Sequence, residues 1–223
     1  MEETTEKTNI FKIITEPKRQ FELLRRRPKI VIPLLIVFLI GIVNIVFGLT
    51  FNPDVSEEIS ESNSSLVLTT VFNSIMGIFG LFMVIVLRAV VLMIIMAIVE
   101  PGEDIQYPIT ITLYSFIVVQ IGALISTTIA FFIDGNPGKN YTSLGAIYAS
   151  DMSTQDFVND IQYILLESIN PFTIWMLVLV FIGIKVLYKT TTTKAVVATV
   201  LFYILPLLGS MLLGSLLPSD LDM

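Results

Sequence analysis

Five runs of apolar, charge-poor residues constrain this chain more than anything else in it. They extend from about Ile30 to Phe51, Val71 to Val99, Pro108 to Ile133, Pro171 to Tyr188 and Ala195 to Leu217. Each is near the ~20 helical residues that cross ~30 Å of hydrocarbon. A bilayer offers no water to unpaired backbone groups, so a spanning segment is a helix or part of a closed barrel. The runs are continuous rather than alternating, which argues against a barrel. The predicted fold is all-α: an integral membrane bundle of five transmembrane helices. The second run exceeds what a bilayer requires and predicts a tilted helix.

Charged residues occupy only 14% of the 223 positions, against ~25% in soluble domains. The chain has no cysteine, hence no disulfide and no thiolate nucleophile or ligand. It has no histidine either, which removes the commonest general base and metal ligand. The first apolar run begins too late for a cleavable signal peptide and reads as a retained anchor.

Lysines and arginines set the orientation. Lys7, Lys12, Lys18, Arg19, Arg25, Arg26, Arg27 and Lys29 precede the first run, and Lys185, Lys189 and Lys194 lie around the turn between the fourth and fifth. The opposite side carries only Lys139. The N-terminus is therefore expected in the cytoplasm and the C-terminus outside. Residues 1–29 form a cytoplasmic basic segment, and residues 30–223 form one transmembrane domain.

Two further helices are predicted outside the spans. From Thr15 to Arg27, Thr15 offers a cap, Pro17 suits the first turn, and Phe21 and Leu24 share a face. That pattern fits a cytoplasmic amphipathic helix on an anionic inner leaflet, and equally fits ordinary positive flanking charge. In the outer loop, Asp134-Gly135-Asn136-Pro137-Gly138 signals a turn. Beyond it Ser153 and Asp156 mark a helix start, and Phe157, Ile161, Ile164 and Leu165 recur at helical spacing. This outer-surface amphipathic helix either packs on its own bundle or offers a partner surface.

Arg88 is the most unusual residue, because a charge inside a span costs at least ~2.5 kcal/mol. It lies eleven residues from Val99, while Gln120 lies twelve from Pro108 and Asn44 fourteen from Ile30. At ~1.5 Å per residue these depths are similar. They predict an intramembrane polar layer in which Gln120 and Asn44 accept hydrogen bonds from Arg88. Two readings stand: Arg88 fixes helix register, or it binds an anionic or carbonyl-bearing substrate. Glu100-Pro101-Gly102-Glu103-Asp104 reads as a solvated inner turn rather than a metal site. Gly122 with Ser126, and Ser210 with Gly214, have the spacing that permits close helix approach. There is no phosphate-binding glycine loop, no zinc-protease signature and no assignable nucleophile–base pair. No catalytic residue, cofactor, metal or nucleic acid is called for.

Pro17, Phe21 and Pro28 ahead of the first span resemble the N-terminal pattern of bacterial Yip-type membrane proteins. Asn170-Pro171-Phe172-Thr173-Ile174-Trp175, with Gly183 beyond, resembles the start of the fourth span in that family. The Tyr-Gly-Pro motif of eukaryotic members is absent, and with it the ground for expecting a Rab-type GTPase partner. The resemblance implies a non-enzymatic factor of the bacterial cytoplasmic membrane that works beside other membrane proteins. Among bacterial relatives it implies an accessory or assembly role for an ABC-type exporter that protects against a secreted toxic peptide. The partners expected are lipid, an ABC permease or adaptor, and further copies of the chain. The alternative from the residues themselves is a small transporter or channel using the arginine layer.

Overall fold

A computed structural model describes residues 8–50, 64–133, 139–148 and 161–216. Among them the chain forms only helices. These are α1 (Lys12–Thr15), α2 (Pro17–Arg26), α3 (Val31–Thr50), α4 (Ser64–Val99), α5 (Gln106–Ile133), α6 (Leu144–Tyr148), α7 (Ile161–Glu167), α8 (Pro171–Leu187) and α9 (Thr192–Leu216). By length and composition α3, α4, α5 and α9 can each cross a membrane. The pair α7 and α8, bent by 62°, makes a fifth crossing if counted as one span. The expected all-helical membrane architecture is what the chain adopts.

Two helix ends differ from the sequence expectation. Helix α4 starts at Ser64, well before Val71. The threonines and serines there lower hydropathy without breaking the helix: Ser74 Oγ donates to the Thr70 carbonyl at 2.8 Å, one turn back. At the N-terminus, Thr15 closes α1, and the cap position of α2 is Glu16, whose side chain makes no capping bond. Pro17 explains the break, since its ring drives the preceding residue out of the helical region. Glu16 accordingly sits at φ −130°, ψ 52°.

Helix α5 is the centre of the bundle, packing on α3, α4 and α8. Nearly every residue from Tyr107 to Gln120 is buried or half-buried, including Ile111, Leu113, Tyr114 and Phe116. Helix α9 closes the far side against α4 and α8. Helix α2 lies along α8, and Phe21 and Leu24 are fully buried there. The amphipathic face read from the sequence is thus turned into protein.

Both ends of the bundle are fastened. At the end bearing the basic residues, Glu100 Oε2 accepts from Thr190 Oγ1 at 2.9 Å and from Lys194 Nζ at 3.0 Å. Hydrogen bonds from Lys194 and then Thr190 hold the Glu100 carboxyl below the ordinary carboxylate range. Tyr107 and Tyr188 meet edge-on beside this clasp, centroids 5.5 Å apart. The acidic turn therefore ties α4 to the turn before α9.

At the other end, Asn170 caps α8: its Oδ1 accepts from the Thr173 N–H at 2.8 Å. Its Nδ2 donates to the Glu167 carbonyl at 3.2 Å, so one side chain serves both the end of α7 and the start of α8. Helix α7 covers part of the predicted outer helix. Tyr163 is the residue it buries, Ile164 is half-buried, and Ile161 and Leu165 are exposed. Ser153, Asp156, Phe157 and the turn from Asp134 to Gly138 lie outside the described residues.

Candidate functional site

Arg88 comes off the middle of α4 on the side facing α5 and α9. Its guanidinium carbon lies 5.7 Å from the centroid of Phe116 and 5.7 Å from that of Phe202. Two aromatic rings from two helices thus flank the charge. Each such contact is worth roughly 0.5–2 kcal/mol, the upper end applying where water is excluded. Nη1 is buried with no hydrogen-bond partner. A donor left so costs about 1–3 kcal/mol.

The three residues expected in one polar layer occupy two seams. Gln120 is buried and faces α3, with Oε1 3.7 Å from where a Cβ on Gly41 would stand. Asn44 Oδ1 accepts from Thr127 Oγ1 at 2.7 Å, again joining α3 to α5. Among the described residues no hydrogen bond links Arg88 to either. The depth argument placed Asn44 too close to Arg88. Along α5 the partners step from Phe116 through Gln120 to Thr127, roughly 16 Å at ~1.5 Å per residue. The arginine thus meets π-faces where the sequence had suggested amide oxygens.

The family-motif residues act as fasteners. Pro17 opens α2 and Pro171 opens α8. Phe21 lies edge-on to Tyr114 at 6.4 Å and against Gly183. A Cβ on Gly183 would stand 2.9 Å from Ile111 Cγ1 and 3.1 Å from Phe21 Cζ. Three helices therefore meet over one missing methyl. The Phe172 ring fills the space above Gly122, where a Cβ would come within 2.6 Å of its Cδ2. Trp175 is packed against the core, its indole nitrogen buried without a partner. Pro28 sits in the short link between α2 and α3.

Of the small-residue pairs, Gly122 and Ser126 serve different contacts. Gly122 receives Phe172, while Ser126 Oγ accepts from the Tyr141 N–H at 2.9 Å and donates to the Lys139 carbonyl at 3.3 Å. Ser210 and Gly214 lie on α9, with side chains outside the described set. The Glu100 clasp and the Tyr107–Tyr188 contact escaped the sequence reading, because nothing local pairs residues 81 to 94 positions apart.

The Yip1 domain matches residues 11–214, from just before α1 to near the end of α9. The chain belongs to the Yip1 family. It is also similar to the membrane protein YknW of Bacillus subtilis (strain 168), 29% identical over 196 residues, covering 83% of this chain and 80% of that protein. No solved structure matches the chain. In this structure Phe21, Phe172 and Gly183, on which the resemblance was read, lie where α2, α5 and α8 meet.

Proposed function

We propose that this Yip1 protein is a non-enzymatic, multi-pass accessory or assembly factor for an ABC-type exporter of a bacterial cytoplasmic membrane. The process it would serve is protection against a secreted toxic peptide. The lysine and arginine distribution supports a cytoplasmic N-terminus, with the Glu100 clasp on the same side. The observation that carries the reading is the first half of α4. From Leu68 to Val84 no residue is buried, and Phe72, Ile75, Met76 and Phe79 stand outward. A span so loosely attached to its own bundle has side chains to offer a second membrane protein, where association depends on van der Waals packing. The absence of histidine and cysteine from the whole chain supports a role through contact rather than chemistry.

The test is a mild-detergent pull-down of a natively expressed, tagged copy, followed by mass spectrometry. Stoichiometric recovery of an ABC permease or its adaptor, lost in Ile75→Trp, is the expected result. Recovery of the chain alone, or only with itself, would overturn the reading.

A second reading, a small transporter or channel, draws support from the unpartnered Arg88 Nη1. It predicts flux of a small anion through proteoliposomes containing only this chain, abolished by Arg88→Leu and spared by Leu165→Ala on α7.

A further inference from the structure

At the basic end, α2 and α8 stand as two walls of an open groove of about 860 Å³. That lies within the ~300–1,000 Å³ of small-molecule sites. Lys18, Arg25 and Arg26 line it from α2, and Lys185 and Lys189 from the other wall, with Glu22 the one carboxylate of the lining. Among the described residues none of these five cations is in an ion pair with a carboxylate. Like charges gathered this closely repel one another unless an anion lies among them.

Three independent observations bear on this groove. Arg25 Nε is buried with no hydrogen-bond partner. Lys185 is held in place by donating to Thr192 Oγ1 at 2.9 Å and by lying 5.9 Å over the Phe181 ring. Lys189 adopts φ 50°, the only positive φ among the described non-glycine residues. A left-handed lysine costs about 1 kcal/mol, and the position after a helix C-cap ordinarily takes glycine. Strain of this kind is kept where a side chain is needed. What Lys189 provides in return is a fifth cation.

We propose that this groove binds the phosphate-bearing headgroup of an anionic phospholipid. A phosphate oxygen set matches guanidinium and ammonium donors. Basic recesses between helices at the membrane surface are suited to such headgroups. Phe181, Ile182 and Val186 continue the groove along α8 as an apolar wall. That wall suits the glycerol and acyl chains of a lipid and has no use for a free phosphate ion. Burial of Phe21 and Leu24 fixes α2 against α8, so the site is formed before the lipid arrives.

The purified full chain, in an uncharged detergent, is mixed with phosphatidylglycerol, phosphatidylcholine or inorganic phosphate, and bound lipid is read by native mass spectrometry. One phosphatidylglycerol per chain should be retained in preference to phosphatidylcholine. Lys18→Gln with Arg26→Gln should weaken retention at least tenfold, at roughly fivefold per surface cation. Glu22→Gln should strengthen it. Lys189→Gly relieves the backbone, so it should raise the thermal midpoint yet weaken lipid retention. Equal retention of both lipids overturns the proposal, as does a Lys189→Gly protein that binds as the parent does. Binding of inorganic phosphate without retention of lipid overturns the lipid assignment and leaves a soluble phosphate as the ligand.

Discussion

Glu100 directly follows α4, and one of its two carboxylate oxygens accepts from both Thr190 and Lys194. Its folded carboxyl titrates below the ordinary range, so the clasp contributes stability above the unfolded carboxylate pKa and loses it as pH falls through the folded one. The thermal midpoint in detergent should therefore fall in the parent as the pH drops below about 4.5. In Glu100→Gln that part of the acid dependence should be missing. Arg88 is a different case, since its partners are rings. A double-mutant cycle of Arg88→Met with Phe202→Leu, read by detergent unfolding, should return a coupling of about 0.5–2 kcal/mol. The corresponding cycle with Asn44→Ala should return a value near zero. The sequence disclosed Arg88 by its cost and its depth. It could not disclose how two helices are turned against each other: Phe116 and Gln120 lie one turn apart on α5, only ~40° in rotation and ~6 Å in rise, so which of them meets Arg88 is set by the packing of α4 on α5.

The helices themselves were largely legible, because a run of apolar residues in lipid has one way to satisfy its backbone. All five expected runs became helices within a few residues, apart from the early start of α4, and four of them are each long enough to cross a membrane alone. Helix α2 shows the limit. Its pattern of Phe21 and Leu24 flanked by Lys18 and Arg25 suits a leaflet and a protein groove equally well, and only the presence of α8 decides between them. Gly183 and Gly122 are where that decision is made. Gly122→Ala should cost about 1–3 kcal/mol by overpacking against Phe172. Adding Phe172→Leu should recover part of that loss, measured as the thermal midpoint of the purified protein. Gly183→Ala meets Ile111 and Phe21 together, and no one trimmed side chain should rescue it.

For the whole molecule the testable statement is its orientation. With no native cysteine, single cysteines report directly without a background to remove. Glu103→Cys and Thr191→Cys should react with an impermeant maleimide only in broken cells, and Ile147→Cys in intact ones. The reverse pattern would invert the topology argued from lysine and arginine placement. Helix α3 packs chiefly on α5 and only lightly on α4, while α5 also carries α4 and α8. A ribosome releases α3 and α4 first, so the earliest pair to enter the bilayer has little to hold it together. The bundle cannot begin to close until its third long helix has been made. A chain stalled before Gln106 would therefore leave two nearly independent anchors for the cell's quality control to find.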